Sequence, residues 1–137
     1  MLQGTIPRPK ASILFRNIGK YRVSHYMIRT AIILTKPLAP DKEGELFERR
    51  SEWQSGGDVG MGNVWYPGDD KVIHTTWNQD FQPSDWSDLM AGNKVFYIVT
   101  KSSFQDQNGP LPDTRSCRWV SLRDGKPTIG LCMAHNT

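Results

Sequence analysis

The chain has 137 residues, 37% hydrophobic and 23% charged, with 17 basic against 14 acidic side chains and a net charge of +3. A chain of this length and composition is expected to form one folded domain with its own core, which excludes an intrinsically disordered protein. The charges are dispersed, without a basic block or a basic pattern interleaved with aromatic residues, so nucleic acid is not an expected partner.

The two ends of the chain suggest a simple domain division. Residues 1–9 are predicted to be an N-terminal leader or linker, and residues 10–137 a single domain. Met1–Gly4 carries no basic or apolar region of a signal peptide. No apolar run has the length of a membrane-spanning helix, the longest being near Ala31–Leu34.

Two strands are predicted in the first part of the domain. Lys10–Arg16 is the first, and Asn17–Gly19 closes it because Asn and Gly tolerate turn conformations. Tyr21–Thr35 favours a strand throughout but does not alternate cleanly, which predicts a bend or bulge partway along. Pro37 and Pro40 end this strand.

Residues from about 36 to 63 are predicted to form a long irregular insertion. Within it, Asp41–Trp53 is charged with an apolar edge and predicts one short, half-exposed helix. Gly56–Gly62 lacks the following helix that a phosphate-binding loop requires, because Asn63–Pro67 is strand-like. A flexible loop is therefore expected at the glycine-rich stretch.

The middle of the chain predicts a turn, a strand and a helix. Tyr66–Asp70 has turn composition, and Lys71–Trp77 alternates as a strand. Pro83–Gly92 has the proline and acidic residues of a helix start and a glycine stop, which predicts a short helix over Pro83–Met90. We expect Trp77 and Trp86 to lie in the core.

The last third of the chain carries the strongest local signals. Lys94–Thr100 is apolar on both faces, which is typical of a central strand covered on both sides. The chain reverses at Gln105–Pro110, and Asp113–Leu122 returns as a partner strand. Arg123–Lys126 then predicts a two-residue hairpin turn.

These elements number about seven strands with one or two short helices. Turn signals at this spacing predict an all-β fold, most simply a two-sheet antiparallel β-sandwich, with a small β-barrel as the alternative.

The two cysteines are predicted to form a disulfide. If Asp124–Gly125 is the turn, Arg123 faces Lys126 and the same register places Cys117 directly across from Cys132. Opposed strand residues lie within the Cα distance that a disulfide spans. Two buried free thiols are the alternative. A disulfide would indicate an oxidising compartment.

No catalytic or metal-binding constellation is predicted, and no cofactor is expected. The three histidines lie far apart in sequence, at positions 25, 74 and 135, without the local spacing of metal ligands. The acidic pairs Asp69–Asp70 and Asp85/Asp88 have turn and helix-start contexts that explain them structurally. No Gly-x-Ser-x-Gly motif marks a serine nucleophile.

Aromatic residues around the insertion are the remaining candidates for ligand binding. Trp53, Trp65 and Tyr66 flank the glycine-rich stretch, and exposed aromatic rings there would form a stacking surface for sugars or peptides. Scattered exposed aromatic residues without a function are the alternative.

The order of several short motifs resembles a family of uncharacterised bacterial membrane-anchored proteins. The matching positions are Asn17-x-Gly19, Pro67-Gly68, Gly92, Tyr97, Phe104-x-Asp106, Gly109, Thr114-Arg115-x-Cys117 and Cys132-x-x-His135-Asn136. The resemblance implies an immunoglobulin-like β-sandwich that lies in the periplasm and is anchored to the inner membrane by a segment absent from this chain. The family has no assigned activity, so no catalytic residue is carried over.

The resemblance therefore implies a non-enzymatic extracytoplasmic interaction module whose partner is an unknown protein or cell-envelope component. A carbohydrate- or cell-wall-binding β-sandwich that uses the exposed aromatic residues is the second hypothesis, and a small enzyme is the third.

Overall fold

Eight β-strands dominate the computed structural model, which describes residues 8–48, 59–77 and 80–133. A 3₁₀ helix at Pro40–Glu48, an α-helix α1 at Pro83–Ala91 and a 3₁₀ turn at Arg123–Gly125 complete the described elements. The strands are β1 (Lys10–Arg16), β2 (Val23–Thr35), β3 (Val59–Trp65), β4 (Asp70–Thr76), β5 (Val95–Asp106), β6 (Gly109–Pro110), β7 (Thr114–Ser121) and β8 (Thr128–Leu131).

The strands form two antiparallel sheets, which confirms the predicted all-β, two-sheet class. β1 and β4 pair as a two-stranded ribbon, and the six-stranded sheet has the order β3-β2-β5-β7-β8 with β6 paired to β5. The larger sheet curls like half of a barrel. No helix among the described residues is long and apolar enough to span a membrane.

The central strand β5 is covered on both faces, as its two-sided apolar sequence predicts. On one face, Val99 and Tyr97 pack with Leu46 and Phe47 of the 3₁₀ helix. On the other face, Phe96 packs with the residues of a second cluster, namely Ile32, Trp77, Phe81 and Leu89. Apolar side chains of both parities are buried because each face has its own cover.

The predicted irregularity in β2 is a bulge. The register with β5 shifts between Ser24 and Met27, and His25 lies in the bulge with a φ of 48°. One extra residue at this point sharpens the local twist of the strand.

The α-helix has the predicted capping but a different buried face. Asp85 accepts a hydrogen bond from the backbone N–H of Gln82 at 2.9 Å, and Gly92 ends the helix with a φ of 80°. Lys94 Nζ lies 3.1 Å from Asp85 Oδ1, and this contact raises the pKa of Lys94. The prediction that Trp86 is a core residue is wrong, because Asp85 and Leu89 form the buried face and Trp86 is 49% exposed.

The C-terminal hairpin has the predicted register and the predicted disulfide. Asp124 and Gly125 have φ values of 55° and 74°, the left-handed pair that a two-residue hairpin turn requires. β7 and β8 pair as expected, and Cys117 and Cys132 are bonded with their Cα atoms 5.4 Å apart. Both cysteines are buried in the core on the 3₁₀-helix side.

Part of the glycine-rich stretch is a strand, which corrects the prediction of a flexible loop. Residues 59–65 form β3, the edge strand next to β2, with Tyr26 paired to Gly62. The ring of Tyr26 lies over Gly62, where a Cβ atom would overlap it. Gly62 has no side chain, which allows the aromatic ring to pack directly against the backbone of β3. Amino-acid composition alone does not reveal this role.

Two other predictions reach beyond the described residues. The helix predicted for Asp41–Trp53 is confirmed in its first part as the 3₁₀ helix, while Trp53 itself lies outside the described residues. His135 also lies outside them.

Candidate functional site

A cavity of about 310 Å³ lies between the end of β1 and the larger sheet. We call it the inter-sheet cavity. Its lining is mainly apolar, with a few hydroxyl groups, which is the composition of most small-ligand sites. The strands β1, β3, β5 and β7 each contribute side chains to it.

The floor of the inter-sheet cavity is a square of four hydroxyl groups on two neighbouring strands. Thr100 and Ser102 come from β5, and Ser116 and Thr114 lie directly opposite them on β7. Side chains two residues apart on a strand share a face, so all four hydroxyls lie on the same side of the sheet. Ser102 Oγ and Thr114 Oγ1 are hydrogen-bonded to each other. The floor can therefore both donate and accept hydrogen bonds.

A fifth hydroxyl extends this polar row into the protein. Thr30 on β2 is paired with Thr100 and is fully buried. Its Oγ1 atom has no hydrogen-bond partner within the part of the chain that the structure describes. A buried hydroxyl without a partner lowers the stability of the fold by about 1–3 kcal/mol. The stabilising feature of Thr30 is therefore its β-branched side chain, which packs well in a strand, and not its hydroxyl group.

Aromatic rings form one wall of the cavity. Trp65 at the end of β3 packs at 5.5 Å from Tyr26 and at 6.1 Å from Phe104, measured between ring centroids. Its Nε1 donates to the carbonyl oxygen of Asp69 at 2.7 Å, which satisfies the indole N–H. Phe15 of β1 also lines the cavity. The wall is fixed by packing on both sides of the indole.

The hypothesis of a stacking surface needs Trp65 to be exposed, but this side chain is only 4% exposed and packs inward. Tyr66, the next residue, is 55% exposed and points away from the buried cluster. Alternation along the chain end explains the opposite environments of these neighbours. With Trp53 outside the described residues, the described part of the chain contains one of the three rings in an exposed position. Ligand binding at these residues stays a prediction.

The loop after β1 forms the rim of the cavity, and Asn17 organises it. The amide nitrogen Nδ2 of Asn17 donates to the carbonyl oxygens of Tyr21 and Trp65, both at 3.0 Å. Its Oδ1 accepts the backbone N–H of Gly19 at 3.0 Å. Asn17 is thus recognisable from sequence as a turn residue, but its role in joining the loop to β3 was missed because it depends on a contact 48 residues away.

An ion pair joins the rim to β4. Arg16 Nε and Nη2 donate to the two carboxylate oxygens of Asp70, at 2.6 and 3.0 Å. The hydrogen bond to Arg16 lowers the pKa of Asp70 below its ordinary value. The pair is solvent-exposed, so we assign it to alignment of the ribbon and not to chemistry.

Apolar side chains are exposed at the mouth of the cavity. Ile18 is 91% exposed and Leu111 is 37% exposed, and both line the opening. Single exposed apolar residues are common, but two that border one apolar cavity extend its contact surface outward. A ligand seated in the cavity would contact both.

A further cluster of potentially reactive side chains lies on the 3₁₀-helix side of the larger sheet. Glu43 lies beside Cys117 and Cys132, but both sulfur atoms are in the disulfide and cannot ligate a metal. The carboxylate of Glu43 instead accepts the backbone N–H of Met133 at 3.0 Å. Tyr97 accepts the N–H of Leu38 at 2.8 Å, and burial raises the pKa of this phenol.

Comparison of the chain with family models, with curated proteins and with solved structures found no match.

Proposed function

We propose that this chain is a non-enzymatic binding module that works outside the cytoplasm and takes an uncharged, mainly apolar group of a protein or cell-envelope partner into the inter-sheet cavity. The observation that carries the proposal is the combination of a hydroxyl floor with apolar walls. Such a site orients a ligand by one or two hydrogen bonds and binds it mainly by apolar burial.

The size and polarity of the cavity favour an aromatic or branched apolar group with one hydrogen-bonding atom. A volume of about 310 Å³ is at the lower end of small-ligand sites. No carboxylate among the described residues lines it, and its two lining cations are already engaged, Arg16 with Asp70 and Arg115 over the ring of Phe47. A charged group would therefore lose its hydration without gaining a buried counterion.

The disulfide supports an extracytoplasmic location, because such bonds persist in oxidising compartments. Attachment to a bacterial inner membrane through a segment outside this chain is proposed from the sequence resemblance. An apolar run of spanning length in the coding sequence upstream of Met1 would support attachment, and protease accessibility of the tagged protein in spheroplasts tests the location directly. Cleavage only after lysis of the spheroplasts would contradict it.

Nuclear magnetic resonance titration with benzyl alcohol and with N-acetylphenylalanine amide tests the cavity. We expect amide shifts at Thr100, Ser102, Thr114 and Ser116 that saturate, and no such shifts with N-acetylaspartate. Ser116→Leu fills the floor and should abolish them, whereas Ser87→Leu on the exposed face of α1 should leave them unchanged. Equal shifts in both variants would contradict binding in the cavity.

The carbohydrate hypothesis rests on Tyr66 among the described residues, since Trp65 is buried. A stacking platform normally uses more than one ring, so we place it second. Titration with cello- and chito-oligosaccharides decides between the two, because sugar binding should perturb Tyr66 and leave the cavity floor unperturbed.

A further inference from the structure

Among the described residues, no strand pairs with the outer edge of β8, and the backbone groups of this edge have a definite hydrogen-bonding pattern. β8 ends the larger sheet, and Cys132 N donates to Cys117 O at 3.1 Å. Antiparallel pairs alternate, so Thr128, Gly130 and Cys132 direct their backbone groups toward β7. Ile129 and Leu131 consequently direct their N–H and C=O groups away from the sheet.

The side chains at the same two positions are apolar and exposed. Ile129 is 66% exposed and Leu131 is 61% exposed. Proteins normally protect an open edge with charged side chains, and β1 carries Lys10 and Arg16 in this way. β8 has no charged residue. Its edge is thus suited to pairing with another apolar strand.

The residues at the two ends of this edge offer no free N–H donor. Pro127, the next outward-facing residue on one side, has no N–H to donate. Met133, the next on the other side, already donates its N–H to Glu43 Oε1 at 3.0 Å. Among the described residues of this edge, the N–H donors available to another strand are therefore those of Ile129 and Leu131.

We propose that β8 pairs with β8 of a second copy of this chain, antiparallel and centred on Gly130. A two-fold axis there opposes Ile129 to Leu131 of the second copy, and Leu131 to Ile129. All four residues direct their backbone groups outward, so the two pairs form four hydrogen bonds.

The register is self-complementary beyond these pairs. Pro127, which lacks a donor, faces Met133 of the second copy, whose donor is already used by Glu43. Among the described residues of the two edges, no N–H group that faces the second copy is therefore left without a partner. The two-fold axis also places the exposed apolar side chains of Ile129 and Leu131 opposite each other in both pairs.

Side-chain rows also match across the axis. Val120 and Ile129 are paired on one face, as are Arg118 and Leu131. In the dimer, Val120 and Ile129 of one copy lie in the same cross-strand row as Leu131 and Arg118 of the second copy. Each row therefore contains one Arg118, and the two arginines do not oppose each other. On the opposite face, Gly130 is covered by the indole of its own Trp119. The interface is much smaller than a standard one, so the dimer is expected to be weak and concentration-dependent.

Sedimentation equilibrium of the full chain tests the proposal. We expect the mean mass to rise with concentration from the 15.6 kDa of the monomer toward twice that value. Leu131→Lys should weaken association by at least about tenfold, because it places a charge against an apolar strand. Val72→Lys is the matched control, since Val72 is 50% exposed on β4, and it should associate like the wild type. A monomer at every concentration, or a dimer unaffected by Leu131→Lys, would overturn the proposal.

Cysteine cross-linking tests the register itself. Ile129→Cys and Leu131→Cys oppose each other only between two different chains, so a mixture of the two variants should form a cross-linked dimer under oxidation. Either variant alone should not, and peptide mapping should show the native Cys117–Cys132 bond intact. Cross-linking of one variant with itself at the yield of the mixture would refute the register.

Discussion

Replacement of both cysteines by alanine is the most direct test of how the C-terminal hairpin is stabilised. The bond joins residues separated by 15 positions, and for a loop of that length the chain-entropy model gives about 3 kcal/mol. The paired strands of the hairpin already hold Cys117 near Cys132 in part of the unfolded ensemble. We therefore expect Cys117→Ala/Cys132→Ala to lower the free energy of unfolding by about 2–3 kcal/mol, with 3 kcal/mol as the upper value.

Urea denaturation followed by tryptophan fluorescence measures this loss. Because the disulfide restrains the unfolded chain, its removal should also increase the dependence of unfolding free energy on urea, since the unfolded state then exposes more surface. The melting temperature should fall by about 6–10 °C. Wild-type protein with reductant should approach the double variant, and reductant should not change the double variant further.

Two results would refute the reasoning. A loss below about 1 kcal/mol with an unchanged urea dependence would show that the hairpin register alone fixes the two ends. Two free thiols per chain, titrated in unreduced, denatured protein purified under oxidising conditions, would show that the bond does not form. Because Cys117 is fully buried, the second result also requires a different packing of the core around it.

Three other predictions concern single residues. Thr30→Val removes a buried hydroxyl that has no partner among the described residues, and it should stabilise the protein by about 1 kcal/mol. Thr75 is equally buried but has an interaction, so the control Thr75→Val should destabilise the protein. Equal changes in unfolding free energy for the two variants, measured by urea denaturation, would contradict this prediction. Gly130→Ala forces a methyl group into the indole above it and should cost about 1–3 kcal/mol, so an unchanged unfolding midpoint would contradict that close contact. Arg16→Gln should return the pKa of Asp70 toward its ordinary value of 3.8 in a carboxyl titration by nuclear magnetic resonance. Because the pKa of Asp70 is lowered in the folded state, the ion pair contributes stability at pH values above the unfolded-state pKa and loses it as the pH falls through the folded-state pKa. A difference in unfolding free energy between Arg16→Gln and the wild type that persists below the folded-state pKa would contradict the assignment.

Local chemistry determines most of what the sequence predicts correctly about this fold. The turn at Asp124–Gly125 sets the hairpin register, and the register then places Cys117 opposite Cys132 without any long-range information. The helix ends were equally predictable, because Pro83 and Gly92 act within one turn of the backbone. In each case the determining residues are neighbours in sequence.

Predictions that required knowledge of the opposite surface were less successful. Trp86 was expected inside because it is large and apolar, yet the paired Asp85 takes the buried position through its hydrogen bond to Gln82 and its contact with Lys94. Trp65 was a candidate for an exposed stacking surface because it flanks the glycine-rich stretch, yet its ring packs against Tyr26 and Phe104. Burial of a single aromatic residue depends on which strands arrive next to it.

The inter-sheet cavity illustrates the same limit for function. Its floor requires Thr100 and Ser116 to lie on one face of neighbouring strands, and alternation along each strand does predict that pair once the β5–β7 register is known. Its wall depends on the hydrogen bond from Asn17 to the carbonyl oxygen of Trp65 at the end of β3. These residues are 48 positions apart in sequence, so no local pattern predicts the contact. Hydroxyl-bearing strand residues are individually unremarkable, and they become a candidate site only because the two-stranded ribbon leaves its end open above them. The position of the ribbon end, more than the identity of any single residue, therefore determines where the inter-sheet cavity lies.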